Sequence, residues 1–380
     1  MKSIVCDMVG CEFPLFAFSH CRDVVAAVTN AGGFGVLGGV SHTPETLDIE
    51  LSWIDEQVKG KPYGLDLIVP TSMDSREESL TPEEIEARIP PEHKEYVRNL
   101  LARFDIATDD VYARRRNDRM GDSMREKGAA DLLDCAFTHP IRLIANALGV
   151  PPPFMLERGK REGVPVAALT GAREHAVKHA EAGVDILVVS GTEAGGHCGE
   201  VSTLVLIPEV LQSLEPYGEI PVLAAGGIAT GRQMAAVMAM GAHGAWTGSV
   251  WLTTAEAETA PAVKEKFLAA NSRQTVRSKS RTGKYTRQLR SAWTDAWHAE
   301  EAPEPLPMPL QGMVSEPALT KISNLADAGH AGARQLTTYF VGQAVGLMNH
   351  VQSARQVVYQ FMEDFAEASE RLSGLLEEDG

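Results

Sequence analysis

Short apolar runs recur between residues 13 and 248, and most are followed by a longer stretch with helical spacing. The runs at 13–18, 34–38, 63–69, 141–147, 164–169, 185–189, 220–225 and 243–248 are apolar almost throughout rather than alternating. That is the pattern of parallel strands covered on both faces. Between them lie amphipathic segments at 24–30, 44–59, 151–162, 171–182, 206–214 and 232–240. Their ends carry helix signals: Ala31-Gly32-Gly33 stops the first, Thr43-Pro44 opens the second and Gly183 closes the fourth. Eight strands alternating with helices predict a closed (β/α)8 TIM barrel of the α/β class. A doubly wound open sheet is the alternative, but its Gly-x-Gly-x-x-Gly turn after the first strand is missing.

Two regions break the rhythm. Residues 70–130 are polar and charge-dense; Thr81-Pro82-Glu83-Glu84 opens one helix and 92–104 has the period of another, before a helix at 131–137 restores the rhythm. A helical insertion of that length after strand three predicts a lid or a partner surface. Beyond residue 255 a helix at 261–271 leads to a basic stretch, 273–290, then to a proline-rich linker at 303–309 and a helical cap at 342–366. The predicted organisation is a barrel domain, 1–255, with the insertion, and a C-terminal helical extension, 256–380, packed on it. The basic stretch either faces an anionic ligand or pairs with the protein's own acids.

Composition narrows the function classes. A hydrophobic content of 44% with 23% charged residues gives enough apolar material for a large core. A net charge of −16 argues against nucleic acid or an anionic membrane as partner. The five cysteines include no C-x-x-C pair and no metal-ligand spacing with histidine, so neither a disulfide framework nor a metal site is expected. Asp7 and Glu12 interrupt what would be a signal-peptide core, and no long charge-free apolar run is present. These features predict a cytoplasmic protein acting on a small molecule, with homo-oligomerisation left open.

The chemistry concentrates after the sixth strand, in Ser190-Gly-Thr-Glu-Ala-Gly-Gly-His-Cys-Gly199. Glycine lets a ligand approach main-chain N–H groups, and His197 can exchange a proton near neutral pH. In such barrels a phosphate is often held by the loops after strands seven and eight. Those loops are Ala225-Gly226-Gly227-Ile228 and Trp246-Thr247-Gly248-Ser249. They offer bare N–H groups, two hydroxyls and the start of a short helix, with no Walker lysine, so one monophosphate is expected. A phosphorylated substrate or flavin mononucleotide fits that description. Glu193 reads as a turn former or helix cap, and Cys198 as a small filler.

These strings, with Gly342-Gln343, resemble the nitronate monooxygenase (2-nitropropane dioxygenase-like) family over residues 13 to about 355. The resemblance implies an FMN-dependent TIM barrel with His197 as catalytic base. It implies phosphate contacts at Gly195, Gly226, Gly227, Trp246, Thr247, Gly248 and Ser249. It also brings Ala17, Phe18, Ser19, Asp66, Ser190 and Gly196 to the cofactor. The sequence departs from the family pattern at three places: Ser19-His20 replaces Pro-Met, Asp66 replaces Asn, and Ser190 replaces Gln. The expected activity is oxidation of alkyl nitronates with O2. NAD(P)H-dependent reduction of a quinone or enoyl thioester, and non-redox chemistry on a phosphorylated substrate, are the alternatives.

Overall fold

The computed structural model describes residues 1, 3–69, 82–113 and 126–375. Eleven strands occur among them: β1 (Leu15–Ser19), β2 (Phe34–Gly38), β3 (Gly64–Leu67), β4 (Leu143–Asn146), β5 (Val166–Thr170), β6 (Ile186–Ser190), β7 (Gly196–His197), β8 (Val222–Ala225), β9 (Gly244–Thr247), β10 (Thr275–Ser278) and β11 (Thr286–Leu289). Eight of them close into a parallel barrel in the order β1-β2-β3-β4-β5-β6-β8-β9. These are the eight apolar runs of the sequence. Most begin a residue or two later than the apolarity does. Phe13, for example, spends its N–H on Gly32 O at 2.9 Å, so pairing starts at Leu15.

The strands are apolar on both faces because both are buried. Leu15, Ala17, Leu187, Val189, Val222 and Ala224 pack outward against helices 22–30, 203–214 and 231–239. Phe16, Val36, Ala145, Val188, Leu223 and Trp246 fill the interior. Helix Ile4–Val9, which the sequence pattern did not predict, packs Val5 and Val9 into that interior cluster.

The insertion and the C-terminal extension share a core. Val97, Leu100 and Leu101 of helix Pro91–Ala102 pack with Trp293, Val314 and Ile322. The last two belong to helix Leu310–Asp327, which crosses that insertion helix. The expected lid falls partly on 70–81 and 114–125, outside the described residues. The cap predicted at 342–366 is instead a short turn, Gln343–Leu347, followed by helix Ala354–Gly374. Main-chain N–H groups of Gly342 and Gln343 are tied to Ser249 Oγ at 2.8 Å and Glu193 O at 2.9 Å. The long helix starts only at its Ser353–Gln356 capping box and packs on helices 231–239 and 22–30. No helix among the described residues is long and apolar enough to cross a membrane.

Candidate active site

The C-terminal strand ends form a mouth floored by aromatic rings. Ser190, Ala225, Trp246 and Phe16 are register partners across β6, β8, β9 and β1. Trp246 stacks on Phe16 and Phe18 with centroids at 6.2 and 6.4 Å. Phe16 and Trp246 are buried, so of these rings Phe18, half-buried, offers most of the apolar surface to a ligand.

The turn after β6 is locked by its own side chains. The Glu193 carboxylate accepts from Thr203 N at 3.0 Å and Thr203 Oγ1 at 2.9 Å, capping helix Thr203–Leu214, which starts three residues before the predicted 206–214. Thr203 Oγ1 also lies 3.0 Å from Gly226 O, joining this turn to the one after β8. Gly195 has no room for a side chain: a Cβ would lie 2.7 Å from Gly342 N. Arg287 Nε donates to Thr192 O at 2.8 Å and holds the turn from outside.

Gly226 and Gly227 have φ of 100° and 72°, in the left-handed region that excludes most side chains. Gln233 Nε2 donates to Gly227 O at 2.7 Å, so the turn's carbonyl faces the helix. Gly248, after β9, is open: a Cβ there would meet nothing within 4 Å. The two neighbouring hydroxyls differ. Thr247 donates to Phe16 O at 2.9 Å and accepts from Trp251 Nε1 at 3.0 Å, so its side chain serves the barrel. Ser249 Oγ accepts from Gly342 N, and its own proton has no acceptor among the described residues.

His197 does not hang from a loose loop. Gly196 and His197 form β7, the edge of an antiparallel sheet β10-β11-β7 beside the mouth, with His197 opposite Thr286. Its Nε2 lies 3.2 Å from Thr282 Oγ1. The ring is crowded by protein on most sides but open to solvent on one. Desolvation and then the Lys284 ammonium push its pKa down to about 4, leaving a neutral imidazole near a positive charge.

Across the mouth stand Asp66 and His20. Asp66 pairs in register with Gly38 and Ala145, which places it on the interior face. It is 3% exposed, and its Oδ2 has no hydrogen-bond partner among the described residues. Burial raises its pKa well above the usual carboxylate range and so favours the protonated form, which can donate. His20 packs edge-on to Phe18 at 5.1 Å, and its Nδ1 lies 3.1 Å from Gly38 O.

The structure therefore gathers Phe18, Asp66, Ser190, Gly195, Gly196, His197, Gly226, Gly227, Trp246, Gly248 and Ser249 around one mouth. Ser19 lies at its edge, where its Oγ accepts from Cys21 N at 3.1 Å. Ala17 turns its methyl into the helix layer and offers only main chain. Thr282 was missed, since no local signal ties it to a histidine 85 residues earlier; Lys284 lies in the basic stretch that the sequence left open to an anionic ligand. The basic stretch is largely paired with acids: Arg277 with Glu200, Lys279 with Glu304, Arg281 with Glu316 and Arg290 with Asp295.

Comparison with known proteins gives the family. Residues 7–364 match the family model described as nitronate monooxygenase. A Mycobacterium tuberculosis protein provisionally named monooxygenase Rv1533 is 52% identical, over 99% of this chain and all of that one. A Staphylococcus saprophyticus protein provisionally named nitronate monooxygenase is 25% identical, over 93% of this chain and 95% of that one. Among solved structures, nitroalkane oxidase from Streptomyces ansochromogenes superposes with a TM-score of 0.77 at 24% identity, covering 97% and 99% of the two chains. FabK from Thermotoga maritima gives 0.69 at 24%, covering 99% of each. At that identity the two structures speak for the barrel alone.

Proposed function

The chain belongs to the nitronate monooxygenase family, an oxidoreductase family, and from that premise we propose that it oxidises alkyl nitronates with O2, using FMN. The residues present fit that cofactor. The Oδ2 of Asp66 is buried without a partner among the described residues, and the half-buried ring of Phe18, stacked on Trp246, suits a flat ring system. The space beside Gly248, with the Ser249 hydroxyl proton, suits a phosphate. When bound, FMN supplies the electron-accepting chemistry; the protein supplies orientation and charge.

One observation carries the nitronate reading: the Lys284 ammonium acts on His197, making that rim of the mouth positive in a protein of net charge −16. An imidazole held near pKa 4 is a weak base, whereas general bases work best near the operating pH. A substrate that arrives already deprotonated suits it. His197 orients the anionic nitro group and takes the proton when the neutral nitroalkane binds. The reading that assigns the basic stretch to a nicotinamide nucleotide or CoA has less support, because Arg277, Lys279, Arg281 and Arg290 are paired with carboxylates.

The test is oxygen uptake by FMN-loaded protein with a preformed alkyl nitronate and with the matching nitroalkane. Uptake should be faster with the nitronate. No uptake with either would remove the assignment.

A further inference from the structure

His20 lies outside the machinery described so far, yet its surroundings are built for it. A Cβ on Gly38 would lie 2.4 Å from His20 Nδ1 and 2.5 Å from its Cε1, so the imidazole occupies the room that glycine leaves on the inner face of β2. Because a carbonyl can only accept, the 3.1 Å contact with Gly38 O places a proton on Nδ1. In the neutral ring that leaves Nε2 as a bare acceptor. Nε2 has no partner among the described residues, and the ring is open to solvent on one side. Burial lowers the ring's pKa below its usual value, and the Gly38 carbonyl only partly offsets this. Phe18, edge-on at 5.1 Å, fixes the ring plane.

We propose that His20 is a specificity-determining residue whose Nε2 accepts a hydrogen bond from the substrate, so that the chain takes nitro compounds carrying a hydroxyl or N–H donor in preference to plain alkyl ones. The proposal rests on the functional reading above and narrows its substrate class. A neutral acceptor gives nothing to an apolar chain and repels a carboxylate, whereas a hydroxyl meets it with its proton. His197 and Lys284 favour the anionic nitro end, and His20, across the mouth, meets the donor at the other end.

The experiment compares two substrates of matched size, 3-nitropropan-1-ol and 1-nitrobutane. Steady-state kcat/KM is measured on their preformed nitronates with FMN-loaded wild type, His20→Leu and His20→Gln. Dissociation constants of the neutral forms are measured without oxygen from the change in flavin absorbance. Wild type should favour the hydroxylated compound about fivefold or more, the worth of one net hydrogen bond. His20→Leu should bring both ratios to within about twofold of unity. His20→Gln, which returns an acceptor at the Nε2 position, should restore most of the preference. A wild-type ratio near one, or a ratio unchanged in His20→Leu, overturns the proposal. So does a His20→Leu protein with weakened FMN binding and intact selectivity, since His20 would then be a cofactor contact. If neither nitronate is oxidised, the functional reading fails, while the binding ratio still decides the role of His20.

Discussion

A neutral imidazole near a lysine ammonium favours an anion over a proton, and that balance shapes what is expected of His197. His197→Asn keeps a polar side chain but removes the base. Turnover of a neutral nitroalkane should fall by at least about 10²-fold, or about 2.7 kcal/mol of barrier. The preformed nitronate, whose proton is already gone, should lose far less. Equal losses on both forms would reduce His197 to a wall of the site. Asp66 makes a different prediction, about stability. Burial raises its pKa in the folded protein. As pH climbs past the ordinary carboxylate value of about 3.9, the unfolded chain releases this proton while the folded protein retains it. The folded state therefore loses stability with rising pH until Asp66 itself ionises. Asp66→Asn has no such proton, so the cofactor-free variant should melt above wild type, by more at about pH 8 than at about pH 5. A gap that does not change with pH would mean that Asp66 is ionised in the fold.

At the scale of elements, the glycine turns separate a ligand cradle from a structural joint. A methyl at Gly248 would stand in open space at a φ of −127° that other residues adopt. Gly248→Ala should fold and melt like wild type yet bind FMN on the order of tenfold more weakly, about 1.4 kcal/mol. Unchanged affinity by fluorescence titration would move the phosphate elsewhere. Gly195→Ala should instead disturb the fold, since its methyl would meet Gly342 N at 2.7 Å and Val341 C at 2.8 Å. The same elements show what the sequence could tell. The eight barrel strands were legible because their Val, Ile, Leu and Ala residues are covered on both faces, and the turn at 190–199 because of its glycines. The sheet β10-β11-β7 was not. β7 is two residues inside a glycine turn, and Thr286-Arg287-Gln288-Leu289 is mostly polar, buried only because the extension folds over it. Helix 203–214 likewise starts at a cap supplied by Glu193, ten residues earlier. Such contacts are tertiary and leave no periodic trace.

For the whole molecule, the insertion is part of the structure's second core as well as a cover. Leu101 is fully buried among residues of the C-terminal extension. Leu101→Ala should cost about 2–5 kcal/mol, read as a fall in the denaturation midpoint. Replacing residues 72–126 with a short flexible loop should bare Trp293 and Val314 and leave a poorly soluble protein. A shortened protein as stable and soluble as wild type would show that the insertion is only an appendage. The molecule's net charge of −16 repels anions at long range, so capture of one depends on the local field near His197 and Lys284. The central claim is that this mouth passes electrons from a nitronate to bound flavin. Its most direct test is anaerobic mixing of the FMN-loaded protein with a preformed alkyl nitronate in one syringe and NADH or NADPH in another, followed at the flavin absorbance band. The account predicts that the nitronate bleaches the flavin and the nicotinamides leave it yellow. Bleaching by NADH or NADPH, with none by the nitronate, would contradict it and make this chain a reductase.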